Sequence, residues 1–298
     1  MKTLISGASG LVGSALVEHL FAQGQTIQCL QRHRQGKQIW DIAKLYPEAA
    51  ATAPFTTIIH LAGDNVADGR WTHAKKERIL NSRIEGTRQL VDFLATLQPH
   101  LRPTTFICAS AIGYYGNGGN SQFNENSPGG AGFLAEVCRQ WEKEAARAKE
   151  FGIRVVHLRF GMILSPKGGA LHKMLPAFKA GVGGRLGNGQ QYMSWVSIRD
   201  LAAIVGFIID QPTIQGPVNV VAPTAVSNAD FSRILAKVVN RPAFLPVPAW
   251  ILRLAFGEMA DEMLLGSSRV VPQKLLAAGY VFTDQDLQQT LAWCVKGS

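Results

Sequence analysis

Short apolar runs rich in β-branched residues recur along the chain at 3–6, 26–30, 56–62, 105–110, 154–160 and 218–221. Between them, apolar residues return at helical spacing over 11–23, 73–97, 132–150, 201–210 and 227–239, the last begun by Ser227 or Asn228 as an N-cap. In the first helix the stripe is Val12, Ala15, Leu16 and Leu20, and Gly24 stands as its C-terminal cap. Strands apolar on both faces that alternate with helices predict an α/β protein: a Rossmann-type, doubly wound parallel sheet with helices on both faces.

After Phe160 the texture changes. Pro166, Gly168, Gly169, Gly181, Gly183, Gly184, Gly187 and Gly189 mark loops of the kind that lie over a site. The expected organisation is a nucleotide-binding domain over 1–165 and a smaller substrate lobe over 166–298, interleaved, with 196–221 returning to the first domain. No internal repeat or low-complexity tract interrupts it.

With 298 residues, 47% hydrophobic and 17% charged, the chain can bury a substantial core and does not read as disordered. Its longest apolar stretch, 201–209, is about half of what a spanning helix needs. The glycine-interrupted N-terminus does not read as a signal peptide. A cytoplasmic protein with no membrane partner is expected. Cys29, Cys108, Cys138 and Cys294 lie far apart in apolar patterns and read as buried thiols, and neither they nor the seven scattered histidines have metal-ligand spacing. The formal charge of +9 is spread along the chain, which argues against nucleic acid and suits an anionic cofactor or substrate. Oligomeric state stays open.

The densest chemistry is at the start. Gly7, Gly10 and Gly13 form Gly-x-x-Gly-x-x-Gly between the first strand and the first helix. Such glycines let the strand turn sharply, let backbone approach a pyrophosphate, and let the helix lie close on its strand. The helix N-terminus then offers unpaired N–H groups to phosphate. Nineteen residues after Gly13, where an NAD-binding chain would place an acid, stands Arg32, whose guanidinium suits the extra phosphate of NADP(H). A small-residue turn follows the third strand at Leu61, Ala62 and Gly63, and the fourth strand runs into Ala109, Ser110, Gly113, Tyr114, Tyr115 and Gly116. Ligands collect at the carboxyl ends of such strands, so Ser110 is aimed at the reactive centre with two phenols close behind it.

The segments Arg70-Trp71-Thr72, Glu77, Ser82-Arg83, Gly113-Tyr114-Tyr115-Gly116, Trp141-Glu142, Met174-Leu175-Pro176, Gly187-Asn188-Gly189-Gln190-Gln191-Tyr192, Trp195 and Asp200 resemble an atypical group of extended short-chain dehydrogenase/reductases. This is the uncharacterised NAD(P)-dependent epimerase family, which includes sugar nucleotide epimerase and cell-division-inhibitor homologues. The resemblance runs from Met1 to about Val295 and implies an NADP(H)-binding fold. In relatives that do hydride chemistry, Tyr-x-x-x-Lys opens the helix after the Ser strand; here Phe133 and Val137 hold those two places.

The expected cofactor-binding residues are Gly7, Ser9, Gly10, Leu11, Val12 and Gly13 at the first turn, with Gln31 and Arg32 at the second strand. They continue with Leu61, Ala62, Gly63, Glu77, Arg83, Ala109, Arg159 and Phe160. Ser110, Tyr114 and Tyr115 are the candidate catalytic groups. Arg185, Gln191 and Trp195, with Arg199 beside them, fall in the part that resembles the substrate-binding region of extended relatives. Two functions stay open: an NADP(H)-dependent oxidoreductase or epimerase-like enzyme on a small polar substrate, and a non-catalytic NADP(H)-binding sensor.

Overall fold

In a computed structural model of the chain, the described residues are 2–31, 40–46 and 54–297. Six parallel strands form the central sheet: β1 (Lys2–Ser6), β2 (Thr26–Leu30), β3 (Thr57–His60), β4 (Thr105–Ala111), β6 (Arg154–Phe160) and β10 (Gly216–Val220), in the order β10-β6-β4-β3-β1-β2. The short strand β5 (Gln122–Phe123) lies outside this sheet. Winding reverses between β1 and β3, so the crevice that binds ligands in open α/β sheets opens beyond Ser6 and His60.

The strands split their side chains between two layers. Leu4, Ile58, Phe106 and Val155 face one core with α2 (His73–Thr96) and α3 (Phe133–Ala146); their neighbours Ile5, Ile59, Ile107 and Val156 face the other, with α1 (Leu11–Ala22) and α5 (Ile198–Asp210). This is the period of two of a strand buried on both sides. Residues 198–220 thus supply a layer helix and the last strand of the sheet.

The lobe is built on β7 (Met162–Leu164), α4 (Gly169–Lys179), β8 (Tyr192–Met193), β9 (Trp195–Ser197), β11 (Val226–Ser227), α6 (Asn228–Val238), α7 (Ala249–Phe256), β12 (Arg269–Val270), α8 (Gln273–Ala277) and α9 (Leu287–Lys296). Leu171, Phe178, Trp195, Phe231, Leu235 and Leu291 form its core. No helix among the described residues is long and apolar enough to cross a membrane.

Several local expectations are corrected. β3 ends at His60 rather than 62, because Leu61 to Gly63 leave the sheet beside the glycine turn. Helix α5 starts at Ile198, three residues early, since the Ser197 hydroxyl accepts from Asp200 N at 3.0 Å and caps it. Helix α3 stops at Ala146 and continues only as a tight turn to Phe151. Cys29 is exposed, not buried, because β2 is the edge strand and its middle faces outward.

Candidate functional site

The glycine turn is shaped by three different demands. Gly7 has φ +73°, and a methyl group on it would lie 3.0 Å from Ala62 N, so the turn presses on the end of β3. A methyl on Gly13 would fall 2.2 Å from Gly7 O and 2.6 Å from Ala8 Cα, which keeps α1 close on its strand. Gly10 differs: a methyl there would meet nothing nearer than Gly7 O at 3.4 Å. The protein's own packing therefore requires Gly7 and Gly13 but leaves the space beside exposed Gly10 open.

Gly10 is also the N-cap of α1 and brings no side chain to it, whereas Thr72, Ser197, Ser227 and Asp286 cap α2, α5, α6 and α9. The N–H groups of Leu11, Val12 and Gly13 have no partner within their helix. Positive dipole, bare N–H groups and missing side chains together make a place for phosphate. Ser9 is exposed beside them, while the Leu11 side chain packs toward Gly169.

At the neighbouring strand end, Arg83 reaches up from α2. A methyl on Gly63 would lie 3.0 Å from its guanidinium carbon. Its Nη1 donates to Asp64 O and Ile79 O, both at 3.0 Å, and the guanidinium lies over Trp141 at 5.0 Å. Burial lowers its pKa. Glu77, on the same helix, is exposed and lies 3.6 Å from His73 Nδ1. Asp64 instead takes Lys75, buried at 2.6 Å, and that hydrogen bond lowers its pKa. Gln31 is exposed at the end of β2, and Arg32 lies outside the described residues.

Below the ends of β4 and β6 runs a buried polar network. Ser110 Oγ donates to Glu142 Oε1 at 2.7 Å. Arg159 grips the same carboxylate with Nε and Nη2, each at 2.8 Å, and donates from Nη1 to the Tyr115 hydroxyl at 2.9 Å. That hydroxyl also lies 2.7 Å from Asn219 Oδ1 and 2.9 Å from Asn124 O. Burial opposes the charge on Arg159, but Glu142 outweighs it, and the guanidinium pKa is raised. Burial likewise raises the Tyr115 phenol, against the pull of Arg159. Tyr114 is only half buried, with the Arg159 guanidinium carbon 3.5 Å from its ring centre. Ala109 and Phe160 pack in the core beneath.

Phe133 opens α3; its ring centre lies 5.2 Å from that of Trp71 in an edge-to-face arrangement and 4.6 Å from Lys76 Nζ. The N–H groups of Phe133 and Leu134 donate to the two carboxylate oxygens of Glu262, at 2.6 and 2.8 Å, and Lys76 pairs with Glu258 at 2.8 Å. A segment of the lobe thus closes over the start of α3, and Val137 is buried below.

The three residues expected to meet substrate separate. Arg185 is exposed on the lobe. Gln191 is buried, its amide donating to Leu186 O and Leu264 O at 3.1 and 3.0 Å, so it braces the glycine-rich loop. Trp195 is in the core of the lobe. Arg199 pairs with Asp284 at 2.5 Å and lies on Trp293.

Glu142 was quoted in the sequence pattern without a role, and Asn219 and Glu262 were missed. The available signal was position: Glu142 sits beside the buried face of α3 formed by Cys138, Trp141 and Ala145, where an acid needs a partner.

Residues 3–221 match the model of the NAD dependent epimerase/dehydratase family, and residues 247–294 match a domain of unknown function, DUF1731. The epimerase family protein MT2273 of Mycobacterium tuberculosis is 39% identical over 292 residues, covering 97% of this chain and 96% of that one. The epimerase family protein SDR39U1 of Bos taurus is 34% identical over 299 residues, covering 98% of each chain. The crystal structure of human epimerase family protein SDR39U1 with NADPH superposes with a TM-score of 0.89 over 99% of both chains at 29% identity. Matched across three quarters of its length by the family model and end to end by these relatives, the chain belongs to the NAD dependent epimerase/dehydratase family.

Proposed function

We propose that this protein binds NADP(H) in the crevice between β1 and β3 and acts in the cytoplasm as an oxidoreductase or epimerase-like enzyme on a small polar substrate. It would stand in the atypical branch of its family that includes the sugar nucleotide epimerase and cell-division-inhibitor homologues. One observation carries the cofactor reading. Gly10 is a glycine for which the protein's own packing has no need, set on the one cradle where a pyrophosphate would need its missing side chain. The NADPH in the similar human protein supports the same reading.

In this reading the N–H groups of Leu11, Val12 and Gly13 would hold the pyrophosphate, and Arg83, which among the described residues spends only Nη1 on protein carbonyls, would offer its remaining donors to cofactor oxygens. Arg32 takes the 2′-phosphate. When bound, the nicotinamide supplies hydride exchange with a carbinol or carbonyl carbon. Glu142 holds Ser110 in one rotamer, leaving the Oγ lone pairs to receive a hydrogen bond from a substrate hydroxyl. Tyr114 is the phenol left to hand a proton to the substrate oxygen, with Arg159 fixed across its ring, because the Tyr115 hydroxyl is committed to Arg159 and Asn219.

The sensing alternative draws on a specific observation: Phe133 and Val137 fill the usual acid/base positions, and Ser110 is tied to Glu142. A screen of metabolites against the protein loaded with NADPH, read by nicotinamide absorbance, separates the two. Turnover that falls on Ser110→Ala and Tyr114→Phe while NADPH still binds is the expected result. No turnover with any metabolite would leave the sensor.

A further inference from the structure

Among the described residues, most of the large exposed apolar side chains gather in one place. Phe244 is 74% exposed, Leu245 47%, Trp250 65%, Leu254 72% and Val182 56%, with Ile251 and Phe256 beside them. Residues 179–187 run alongside 241–249, joined by Arg241 Nε to Lys179 O, Val247 N to Arg185 O and Gly187 N to Val247 O, so these side chains share a surface. On α7, Trp250, Ile251 and Leu254 line one face while Leu252 turns inward. A patch of this make-up marks an interaction site.

Its charge says with what. Between Glu150 and Asp200, and again between Asp230 and Glu258, the sequence has no acidic residue. Lys179, Arg185, Lys237 and Arg241 are exposed around the patch, and among the described residues none of them forms an ion pair. The acids that flank this run in the chain, Asp230 and Glu258, are taken by Arg233 and Lys76, and Asp261 beyond them by Arg253. Four like charges oppose a second copy of the same face. Aromatic and aliphatic side chains set among cations suit a surface that is apolar within and anionic above.

We propose that this face docks the protein on the surface of an anionic phospholipid bilayer, with Trp250, Leu254, Phe244 and Leu245 entering the headgroup boundary and the four cations meeting lipid charge. The expectation of no membrane partner rested on the length of apolar runs, which limits spanning and not surface attachment.

The test is co-sedimentation of the full chain with vesicles of phosphatidylcholine alone or mixed with phosphatidylserine, at low and raised salt. Binding is expected only with phosphatidylserine present, and weaker in salt. Each cation contributes about five-fold. Lys179→Glu with Lys237→Glu, and separately Trp250→Ser with Leu254→Ser, are expected to lower partitioning by at least ~10-fold. Circular dichroism and thermal midpoint should stay at their parent values, since these side chains are exposed; if a variant does unfold, the lipid and salt arms on the parent protein decide. Equal partitioning into both vesicle types, or none into either, overturns the proposal. So does a dimer in sedimentation velocity that Leu254→Ser dissolves.

Discussion

Glu142 and Arg159 face each other across the gap between α3 and β6, nearly out of water, in a two-bond grip that also fixes Ser110 and Tyr115. A buried pair of this kind is costly to break from one side, because the other charge stays buried alone. Glu142→Gln is expected to lose about 3–5 kcal/mol of stability in urea unfolding. Glu142→Leu combined with Arg159→Met should recover much of that loss. Next to this pair, burial lowers the His157 pKa from 6.5 to about 4. The unfolded chain then binds a proton that the folded one refuses as pH falls from 6.5 towards 4, so stability drops across that window and gains nothing from this group above it. The cost at pH 5 is roughly 2 kcal/mol, and urea unfolding of His157→Gln at pH 5 and pH 7 should show the corresponding part of the slope removed. At this scale the sequence was read unevenly. Ser110 and Tyr115 were placed at the right strand end, but no pattern in one dimension reveals that the Tyr115 hydroxyl faces Asn219, 104 residues away. Gln191 and Trp195 read as substrate groups because they fall in the part that resembles the substrate-binding region of extended relatives, and a resemblance gives the region without telling a side chain that faces a ligand from one that braces the loop or fills the core.

Among elements, β1, the glycine turn and α1 carry the cofactor reading, and their glycines can be separated by substitution. Gly13→Ala drives a methyl into Gly7 O and should cost about 1–3 kcal/mol of stability, the scale of overpacking. Gly10→Ala meets only an ordinary contact at φ −77°, so its unfolding midpoint in urea should match the parent, while NADPH affinity falls by about ten-fold or more, since the methyl stands where backbone must approach phosphate. Equal NADPH affinity in Gly10→Ala would remove the glycine turn from cofactor binding. The six sheet strands and five main helices were legible because long periodic segments declare themselves; their ends moved by up to four residues where a cap or a neighbouring turn decided. The two-residue strands β5, β8, β11 and β12 were not legible. They exist through tertiary pairing, as β12 does on β5 across the chain, and have no period of their own. The Glu262 contact with α3 was hidden for the same reason, because its partners lie 128 and 129 residues away.

At the scale of the molecule, carboxylates fasten the lobe to the nucleotide-binding domain, with buried Asp200 at the centre of one fastening. Asp200 in α5 accepts from Thr283 N at 3.0 Å, Asp284 N at 2.8 Å and the Tyr280 hydroxyl at 3.1 Å. Glu262 and Glu258 make a second fastening, to the start of α3 and to Lys76 in α2. The whole chain carries +9, which suits a cofactor with an additional phosphate and makes its binding sensitive to salt. The most direct measurement is calorimetric titration of NADPH and of NADH into the full chain and into Arg32→Asp. One saturable site is expected, with NADPH preferred and that preference weakened by roughly 2 kcal/mol when the guanidinium is lost. Absence of saturable binding, or equal affinity for NADPH in both proteins, would contradict an NADP(H) cradle selected by Arg32.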